Sequence, residues 1–442
     1  MSVFNDDTIA AFASAPSSGA IALLRLSGPL AFDALRQITR KKSFEPRRAT
    51  LVKIYDGDDI LDTALATIFP APNSYSGQDI AEIALHASPY IKARVLEILA
   101  QKSIRPAKPG EFSMRAFLNN KMDLAQAQGV ADIIASKNRA AHKAAMNALE
   151  GKLSEKFKTI RARLTDLLAL AEVRIDDTDG ELPQLDRAHA AKEIAAAIDE
   201  IQSLTKTFSA GRMVKDGIKI AITGMPNSGK SSLLNILLGY DRAIVSPEPG
   251  TTRDTIEADF EINGARIILT DTAGIREHSL DTAEKEGMLR TRRAAQNADI
   301  VIFVKDISAG ENPSQQALFD EIKREAKKII SVINKADLLP NAKDGGISCL
   351  TGSGIENLKN KIIETAGLAA LQEDDILITS AIHYDALINA AAELAKARET
   401  LVDLELLAEH LRAALNYLKE LIGEVAPDDI LGIIFSKFCV GK

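Results

Sequence analysis

The stretch Gly224-Met-Pro-Asn-Ser-Gly-Lys-Ser231 decides the fold of the central third of this sequence. It follows the alternating run IKIAIT at 218–223 and precedes the run SLLNILLG at 232–239. A glycine-rich turn between a predicted strand and a predicted helix is typical of a P-loop, in which backbone N–H groups and the helix N-terminus bind phosphates. Lys230 can then bridge the phosphates and Ser231 can bind Mg²⁺, whereas a glycine turn without a ligand is the less favoured alternative.

The segment around this loop alternates strands with helices. Apolar runs at 218–223, 265–270, 300–304 and 329–333 are separated by stretches with helical spacing. Such alternation is typical of a parallel sheet whose strands are joined by helical crossovers. This part of the chain is therefore predicted to be an α/β domain.

Two motifs downstream of the P-loop point to a metal and a γ-phosphate. Thr252 lies in a Pro/Gly-bearing loop where a second Mg²⁺ ligand is needed, although a local turn is the alternative for a threonine pair taken alone. The motif Asp271-Thr-Ala-Gly274 ends the run at 265–270. Its carboxylate therefore lies at the carboxyl end of a strand, beside the metal, and the N–H of Gly274 can turn toward a γ-phosphate.

The motif Asn334-Lys-Ala-Asp337 reads the base. The Asp337 carboxylate can accept two hydrogen bonds, from N1–H and the 2-amino group of guanine, and adenine offers no such donor pair. The segment with Ser348 and Cys349 is less regular, and we assign it to the base-contacting loop. The sequence therefore predicts GTP rather than ATP. The predicted nucleotide-binding residues are Asn227, Ser228, Gly229, Lys230, Ser231, Ser232, Thr252, Asp271, Thr272, Ala273, Gly274, Asn334, Lys335, Asp337, Ser348 and Cys349.

The residue that positions the attacking water differs from that of Ras-like enzymes. Ile275 stands where those enzymes carry a glutamine. Glu284 and Glu286 are nearby acidic candidates, and an exposed helix face is the alternative for both. We identify no arginine finger in the sequence, so another cation has to stabilise the transition-state charge. Asn227 in the P-loop offers a carbonyl oxygen suited to a monovalent cation.

Length and composition set the class of protein. The 442 residues predict two or three domains, and 46% hydrophobic with 26% charged residues is ordinary for a folded globular chain. We predict neither a membrane span nor a signal peptide. The net charge of −7 does not favour broad nucleic-acid binding, and the basic run at 36–48 is interpreted as a solvated surface. The cysteines Cys349 and Cys439 are too few for a zinc site and indicate a reducing compartment, so the predicted location is cytoplasmic.

Four segments follow from composition and periodicity. Residues 1–119 mix β-type runs with helices, which predicts an α+β domain. Residues 120–213 and 373–442 show helical spacing and are predicted to form two halves of one all-α domain. Residues 214–372 form a Ras-like α/β P-loop domain inserted between those halves. The predicted fold class is therefore multidomain, combining α+β, all-α and inserted α/β parts.

Two further stretches carry a family resemblance. Residues 109–128 (PGEFSMRAFLNNKMDLAQAQ) and 438–442 (FCVGK) resemble the MnmE (TrmE) family of tRNA modification GTPases, and the resemblance runs from end to end. It implies an N-terminal folate-binding domain, a helical domain and an inserted G domain. The implied ligand is 5-formyl- or methylene-tetrahydrofolate. The implied folate contacts are Arg25, Glu82, Lys121 and Lys442.

The resemblance also assigns chemistry to the folate site. A glutamate can pair with the N–H edge of the pterin, whereas arginine and lysine suit the glutamyl carboxylates. The Cys-Val-Gly-Lys tail is implied to bring Cys439 to the folate, with a buried apolar thiol as the alternative. The loop at 15–20 departs from the glycine-rich sequence common in the family.

The same resemblance implies hydrolysis by two paired G domains, with K⁺ in place of an arginine finger. The implied ligands are Asn227, Ser246, Glu248 and Thr251 for K⁺, and Ser231 and Thr252 for Mg²⁺. Glu284 is favoured over Glu286 as the residue that positions water. The implied catalytic residues are Glu284, Lys230 and Cys439.

The implied partners are a second copy of the chain and another protein. The chain is expected to form a homodimer through its N-terminal domains and to join the FAD-containing MnmG (GidA) protein in a heterotetramer or larger complex. Such proteins install an aminomethyl or carboxymethylaminomethyl group on C5 of the wobble uridine in certain tRNAs. Folate supplies the one-carbon unit, FAD comes from the partner, and no membrane is involved.

Two other functions stay open on the sequence. An assembly GTPase of the Era/Der type shares every G motif, but it predicts an RNA-binding domain after the G domain, where this chain has a helical segment. A folate-binding protein with a vestigial G domain conflicts with the intact Lys230, Ser231, Thr252 and Asp271.

Overall fold

The computed structural model describes residues 7–15, 19–177, 181, 183, 185–240, 258–270, 292–309, 312–338, 346–371, 375–424, 428–436, 438, 440 and 441. The chain divides into two compact units. The first comprises residues 1–131, 148–194 and 393–442, and the second comprises residues 132–147 and 195–392. The four segment boundaries drawn from the sequence stay predictions. Within the described residues, no helix is long and apolar enough to cross a membrane.

A six-stranded sheet lies in the first unit. Its strands are β1 (Ile9–Phe12), β2 (Ile21–Ser27), β3 (Thr50–Asp56), β4 (Asp59–Phe69), β5 (Ile80–His86) and β6 (Arg105–Pro106). They are arranged in the order β3-β4-β5-β2-β1-β6, and all pairs are antiparallel except β1 with β6. Helices α1 (Ala31–Thr39) and α2 (Pro89–Ala100) cover one face, because alternation along β2 directs Leu24 and Leu26 toward them.

The opposite face of this sheet is covered at one end. Ile9, Ala11, Ala107 and Phe112 form a small core there, with Tyr75 packed against it. Phe112 comes from helix α3 (Glu111–Leu118). Arg25 on β2 and Glu82 on β5 are register partners on this same face, beside the covered end. The sheet therefore presents two charged side chains next to an apolar wall.

Helices make up the rest of the first unit, and further helices belong to the second. They are α4 (Leu124–Ala135), α5 (Arg139–Leu149), α6 (Lys152–Ile175), α7 (Arg187–Lys206), α8 (Phe208–Asp216), α12 (Ala381–Glu399), α13 (Leu404–Ile422) and α14 (Asp428–Ser436). In the first unit, α6 packs along α13, since both bury apolar residues at spacings of three and four. Phe157 and Leu164 lie on this stripe of α6, and Leu411 and Leu418 on that of α13.

The second unit contains the predicted α/β sheet. Its strands are β7 (Ile218–Gly224), β8 (Ala258–Ile262), β9 (Ala265–Thr270), β10 (Ile300–Asp306) and β11 (Ile329–Asn334), in the order β11-β10-β7-β9-β8. Only β8 runs antiparallel to its neighbour within this sheet. Helices α9 (Lys230–Tyr240), α10 (Pro313–Glu325) and α11 (Ile355–Ala366) accompany it. The multidomain fold class with an inserted α/β part is confirmed.

A buried ionic network fixes α3 in the first unit. Arg115 and Glu111, 0% and 1% exposed, pair at 2.9 Å, and Arg105 binds the same carboxylate at 2.6 Å. Asp7 joins both arginines at 2.6 Å. Burial alone would raise the pKa of Glu111, but hydrogen bonds from Arg105 and the Lys108 amide outweigh it and lower the pKa to about 2. The ionised carboxylate is therefore the form that stabilises the fold.

We predict that Glu111→Gln destabilises the first unit by about 1.5–3 kcal/mol at neutral pH, because it removes the buried carboxylate that Arg105 and Arg115 share and leaves Asp7 as their remaining ion-pair partner. In the wild type, the contribution of Glu111 is complete above its ordinary pKa of 4.5 and is lost as the pH falls toward about 2. Hydrogen exchange of peptides from β1 and α3 measures this local stability, because a multidomain chain does not unfold in one step.

The matched control is Glu45→Gln, which removes an exposed carboxylate paired with the exposed Arg48. We expect it to change stability by no more than about 0.5 kcal/mol. Equal effects of the two substitutions would show that the buried network does not hold α3.

Candidate functional site

The P-loop joins the end of β7 to the start of α9. Gly224 has φ 143°, and a Cβ there would lie 2.3 Å from the carbonyl oxygen of Val304. Asn227 and Gly229 also have positive φ, at 62° and 94°. The loop can turn this tightly only because glycine occupies its crowded positions. Ser231 and Ser232 follow in the first turn of α9, at the positive end of the helix dipole.

Lys230 is folded back over the loop. Its Nζ donates a hydrogen bond to the carbonyl oxygen of Met225 at 2.8 Å, and burial lowers the pKa of the amine. The hydroxyl of Ser228 is fully buried and has no partner within the described structure. A cation, an unpartnered hydroxyl and helix N–H groups converge here, and this set of donors fits the phosphates of a nucleotide.

Asn334, at the end of β11, ties the P-loop to the predicted base loop. Its Nδ2 donates to the carbonyl oxygen of Ser228 at 3.0 Å, and its Oδ1 accepts from the amide of Cys349 at 3.3 Å. The side chain is 2% exposed. A Cβ at Gly229 would stand 2.0 Å from Nδ2, so glycine is required where the two loops meet.

Asp337, the residue predicted to read guanine, is held by the same loop. The hydroxyl of Ser348 donates to Oδ1 of Asp337 at 2.5 Å. The amide of Ile347 donates to Ile333 at 2.7 Å, and the amide of Ala336 donates to Ile347 at 3.0 Å. The structure thus places Ser348 and Cys349 beside Asp337, and their assignment to the base-contacting loop stays a prediction.

Lys335 adopts φ 65° and pairs with Asp306 at 2.5 Å. Burial raises the pKa of Asp306, but hydrogen bonds from Lys335 and Ser308 outweigh it and keep the pKa below its usual range. Burial raises the pKa of the Cys349 thiol to about 11. Cys349 therefore serves this loop through its backbone amide rather than as a thiolate.

Several predicted site residues lie outside the described residues. They are Ser246, Glu248, Thr251, Thr252, Asp271, Thr272, Ala273, Gly274, Glu284, Glu286, Cys439 and Lys442. The roles drawn for them from the sequence stay predictions.

The second group of predicted residues lies on the sheet of the first unit. Arg25 and Glu82 form an ion pair at 2.8 Å. The guanidinium of Arg25 also lies 5.3 Å from the ring centroid of Tyr75 and 5.7 Å from that of Phe112. It donates to the carbonyl oxygen of Gly441 at 3.4 Å. The chain's penultimate residue is therefore brought to the predicted folate contacts.

The position of Gly441 is closely packed. It is buried with φ 100°, and a Cβ there would lie 2.3 Å from the carbonyl oxygen of Phe12. Helix α14, which leads to it, contacts α3, where Phe117 and Phe435 have ring centroids 6.4 Å apart. The tail is thus seated on the same wall that α3 builds.

A cavity of about 440 Å³ opens beside Glu82, a volume within the usual range of small-molecule pockets. Its lining comprises Arg47, Phe69, Asn73, Ser74, Tyr75, Ile80 and Glu82. Lys121 is not in the lining, but a Cβ at Gly77 would lie 3.4 Å from its Cε, so it lies beside the loop that carries Tyr75.

Sequence reasoning missed three residues of these sites. Tyr75 stands in the Ser-Tyr-Ser-Gly stretch, where an aromatic residue between small polar ones was the available signal. Asp306 ends a predicted strand at the same edge as Asn334, which is a signal of the kind used for Asp271. Arg47 falls in the basic run interpreted as a solvated surface, and nothing local distinguishes it from Arg48.

The similarity of this chain to known proteins extends over its whole length. The family model described as the MnmE helical domain matches residues 124–439, and the model described as the GTP-binding protein TrmE N-terminus matches residues 8–121. The tRNA modification GTPase MnmE of Endomicrobium trichonymphae is 38% identical over 458 residues, covering 100% of both chains. The protein of the same name from Parvibaculum lavamentivorans is 40% identical over 446 residues, covering 99% of this chain and 100% of that one.

A solved structure of Era from Aquifex aeolicus is 30% identical, with a TM-score of 0.28, over 40% of this chain and 66% of that chain. The two family models and the full-length relatives agree with each other. The chain belongs to the MnmE family of tRNA modification GTPases.

Proposed function

We propose that this chain hydrolyses GTP in a K⁺-dependent manner and thereby drives folate-dependent modification of the wobble uridine in certain tRNAs. The observation that carries the proposal is the anchoring of both the P-loop and the base loop on Asn334, in a chain related to MnmE proteins over its whole length. The match to the helical-domain model extends beyond the G domain to residue 439, which disfavours an Era/Der-type assembly factor.

The nucleotide is proposed to bind across the carboxyl ends of the parallel strands. Asp337, oriented by Ser348, accepts the two donors of guanine. Lys230 exchanges its bond to Met225 for the phosphates. The hydroxyls of Ser231 and Thr252 are oxygen donors that suit Mg²⁺, and Asp271 acts through its bound water. When bound, Mg²⁺ neutralises charge on the β- and γ-phosphates.

For hydrolysis, we propose that two G domains pair across K⁺. Asn227 is exposed and has a left-handed backbone conformation in the P-loop, and its carboxamide oxygen is a proposed ligand of K⁺. Ser246, Glu248 and Thr251 are the further proposed ligands. K⁺ supplies positive charge where other GTPases use an arginine finger. Glu284 is proposed to orient the attacking water in place of the glutamine that Ile275 replaces.

The first unit is proposed to bind 5-formyl- or methylene-tetrahydrofolate. Glu82 is held by Arg25, so its carboxylate is fixed for the N–H edge of a pterin ring. Tyr75 and Phe112 supply an aromatic wall. Cys439 and Lys442 flank the segment that contains Gly441, and that segment lies at Arg25. Cys439 is therefore proposed to act at the one-carbon group, with Lys121 and Lys442 beside the ligand.

The proposed assembly is a homodimer joined to FAD-containing MnmG in a heterotetramer or larger complex, working on tRNA in the cytoplasm. Apolar residues on the open part of the sheet support pairing with a second copy. Ile21, Leu51 and Leu65 are 68%, 69% and 47% exposed. They lie on the face of the sheet that carries Arg25 and Glu82. A second copy would remove this apolar surface from water.

We predict that GTP hydrolysis is at least about tenfold faster in KCl than in matched NaCl, because K⁺ takes the place of an arginine finger. In other GTPases, an arginine finger raises kcat by more than this factor. Glu284→Ala is expected to lower kcat by about a hundredfold or more through loss of water positioning. Steady-state hydrolysis at protein concentrations that allow G-domain pairing measures both effects.

Glu286→Ala is the matched control, since it removes an acidic side chain two residues away and should leave the rate within about twofold. Equal rates in the two salts would refute the K⁺ mechanism. A loss confined to Glu286→Ala would transfer the proposed role to Glu286.

We also predict that Gly441→Ala weakens binding of 5-formyl-tetrahydrofolate about tenfold and leaves GTP hydrolysis unchanged. A Cβ would collide with Phe12, and a left-handed backbone costs a non-glycine residue about 1–2 kcal/mol, so the tail would leave Arg25. Calorimetric titration of the full chain measures the affinity. Gly432→Ala on α14, where a Cβ meets open space, is the control and should bind normally. Unchanged binding by Gly441→Ala would exclude the tail from the site.

A further inference from the structure

Arg47 is the cation in the lining of the first unit's cavity. The other charged lining residue, Glu82, already pairs with Arg25 at 2.8 Å. Among the described residues, no carboxylate pairs with Arg47. Its guanidinium donates to the carbonyl oxygen of Asn73 and lies 5.7 Å from the ring centroid of Phe69. The cavity therefore contains one positive charge that no carboxylate in its surroundings balances.

The backbone fixes Arg47 at this place. Its φ is 59°, a left-handed conformation that costs a non-glycine residue energy and persists only where neighbouring contacts impose it. Those contacts are the hydrogen bond from its amide to Ile68 at 2.9 Å and the bridge between Pro46 and Ile68. Together with stacking on Phe69, they hold the guanidinium at the cavity before any ligand arrives.

Arg47 and Glu82 are set apart across the sheet. The segment with Arg47 bonds to Ile68 on β4, and the next strand, β5, carries Glu82. Two strand spacings, about 10 Å, separate the two backbone positions. The cavity lining therefore contains an acceptor and a guanidinium that come from backbone positions two strands apart. This arrangement fits an elongated ligand with N–H donors at one end and a carboxylate at the other.

The adjacent arginine differs from Arg47 in its partner and not in its exposure. Both residues are exposed, but Arg48 pairs with Glu45 at 2.5 Å, within its own turn. Arg36 likewise pairs with Asp33 at 2.7 Å. The basic run at 36–48 is thus a solvated surface at these positions, and Arg47 is the member that lines the cavity.

We propose that Arg47 binds a glutamyl carboxylate of the folate and makes the site selective for folates over pteroates that lack the glutamyl group. This proposal rests on the proposed folate-binding function. By charge alone, Arg25 could also bind this carboxylate. Arg25 already pairs with Glu82 and donates to the tail at Gly441, so the carboxylate contact is assigned to Arg47.

The test compares 5-formyl-tetrahydrofolate with 5-formyl-tetrahydropteroate by calorimetric titration of the full-length chain. Wild-type protein is expected to bind the folate about tenfold more tightly, the usual scale of one hydrogen-bonded charge pair. Arg47→Gln is expected to lower this preference to about threefold or less, because only Lys121 and Lys442 could still attract the carboxylates, with pteroate affinity within about twofold of wild type. Arg48→Gln is the matched control and retains the preference.

Retention of the tenfold preference in Arg47→Gln would overturn the proposal. Loss of binding for both compounds in Arg47→Gln would also count against the proposal. The exception is the case in which Arg47→Lys, which keeps the charge, restores binding together with part of the preference for the folate. Failure of the wild type to bind either compound would instead refute the folate-binding function itself. The two failures are therefore distinguishable.

Discussion

The nucleotide site depends on one buried carboxamide. In the second unit's sheet, β7 and β11 are separated by β10, and their carboxyl ends lead into the P-loop and the guanine-reading segment. Asn334 spans this gap with a donor to Ser228 and an acceptor for Cys349. Because a buried amide left without partners costs about 1–3 kcal/mol, the two loops are held in one geometry before GTP binds. In the proposed nucleotide site, phosphate binding and base recognition thus share an anchor.

The site of the first unit is built on a sheet face rather than at a sheet edge. Cross-strand pairing places Arg25 beside Glu82, and the ionic network around Glu111 and Arg115 fixes α3, whose Phe112 closes the wall. The same arginine receives the C-terminal segment at Gly441. Arg25 therefore works as an organising residue. In the proposed folate site, an anionic ligand group is therefore assigned to another cation, Arg47 in the cavity lining.

Local patterns were enough to predict the strands of the second unit's sheet and the P-loop turn, because each depends on short-range periodicity or on a turn of fixed composition. The ion pairs of Arg115 and Arg105 with Asp7 were not predictable, since they join residues about a hundred positions apart. Arg47 illustrates the same limit, because its difference from Arg48 arises from a backbone contact with a distant strand. The choice between Glu284 and Glu286 stays a prediction, as both lie outside the described residues.

Hydrogen exchange of the nucleotide-free full-length chain directly tests whether Asn334 couples the two loops. In Asn334→Ala, peptides covering 222–230 and 346–352 should both exchange faster. In Asn312→Ala, which removes the side-chain cap of α10 in the same unit, neither should change. Faster exchange in the base-loop peptide alone, with the P-loop peptide unchanged, would show that Asn334 does not couple the two loops.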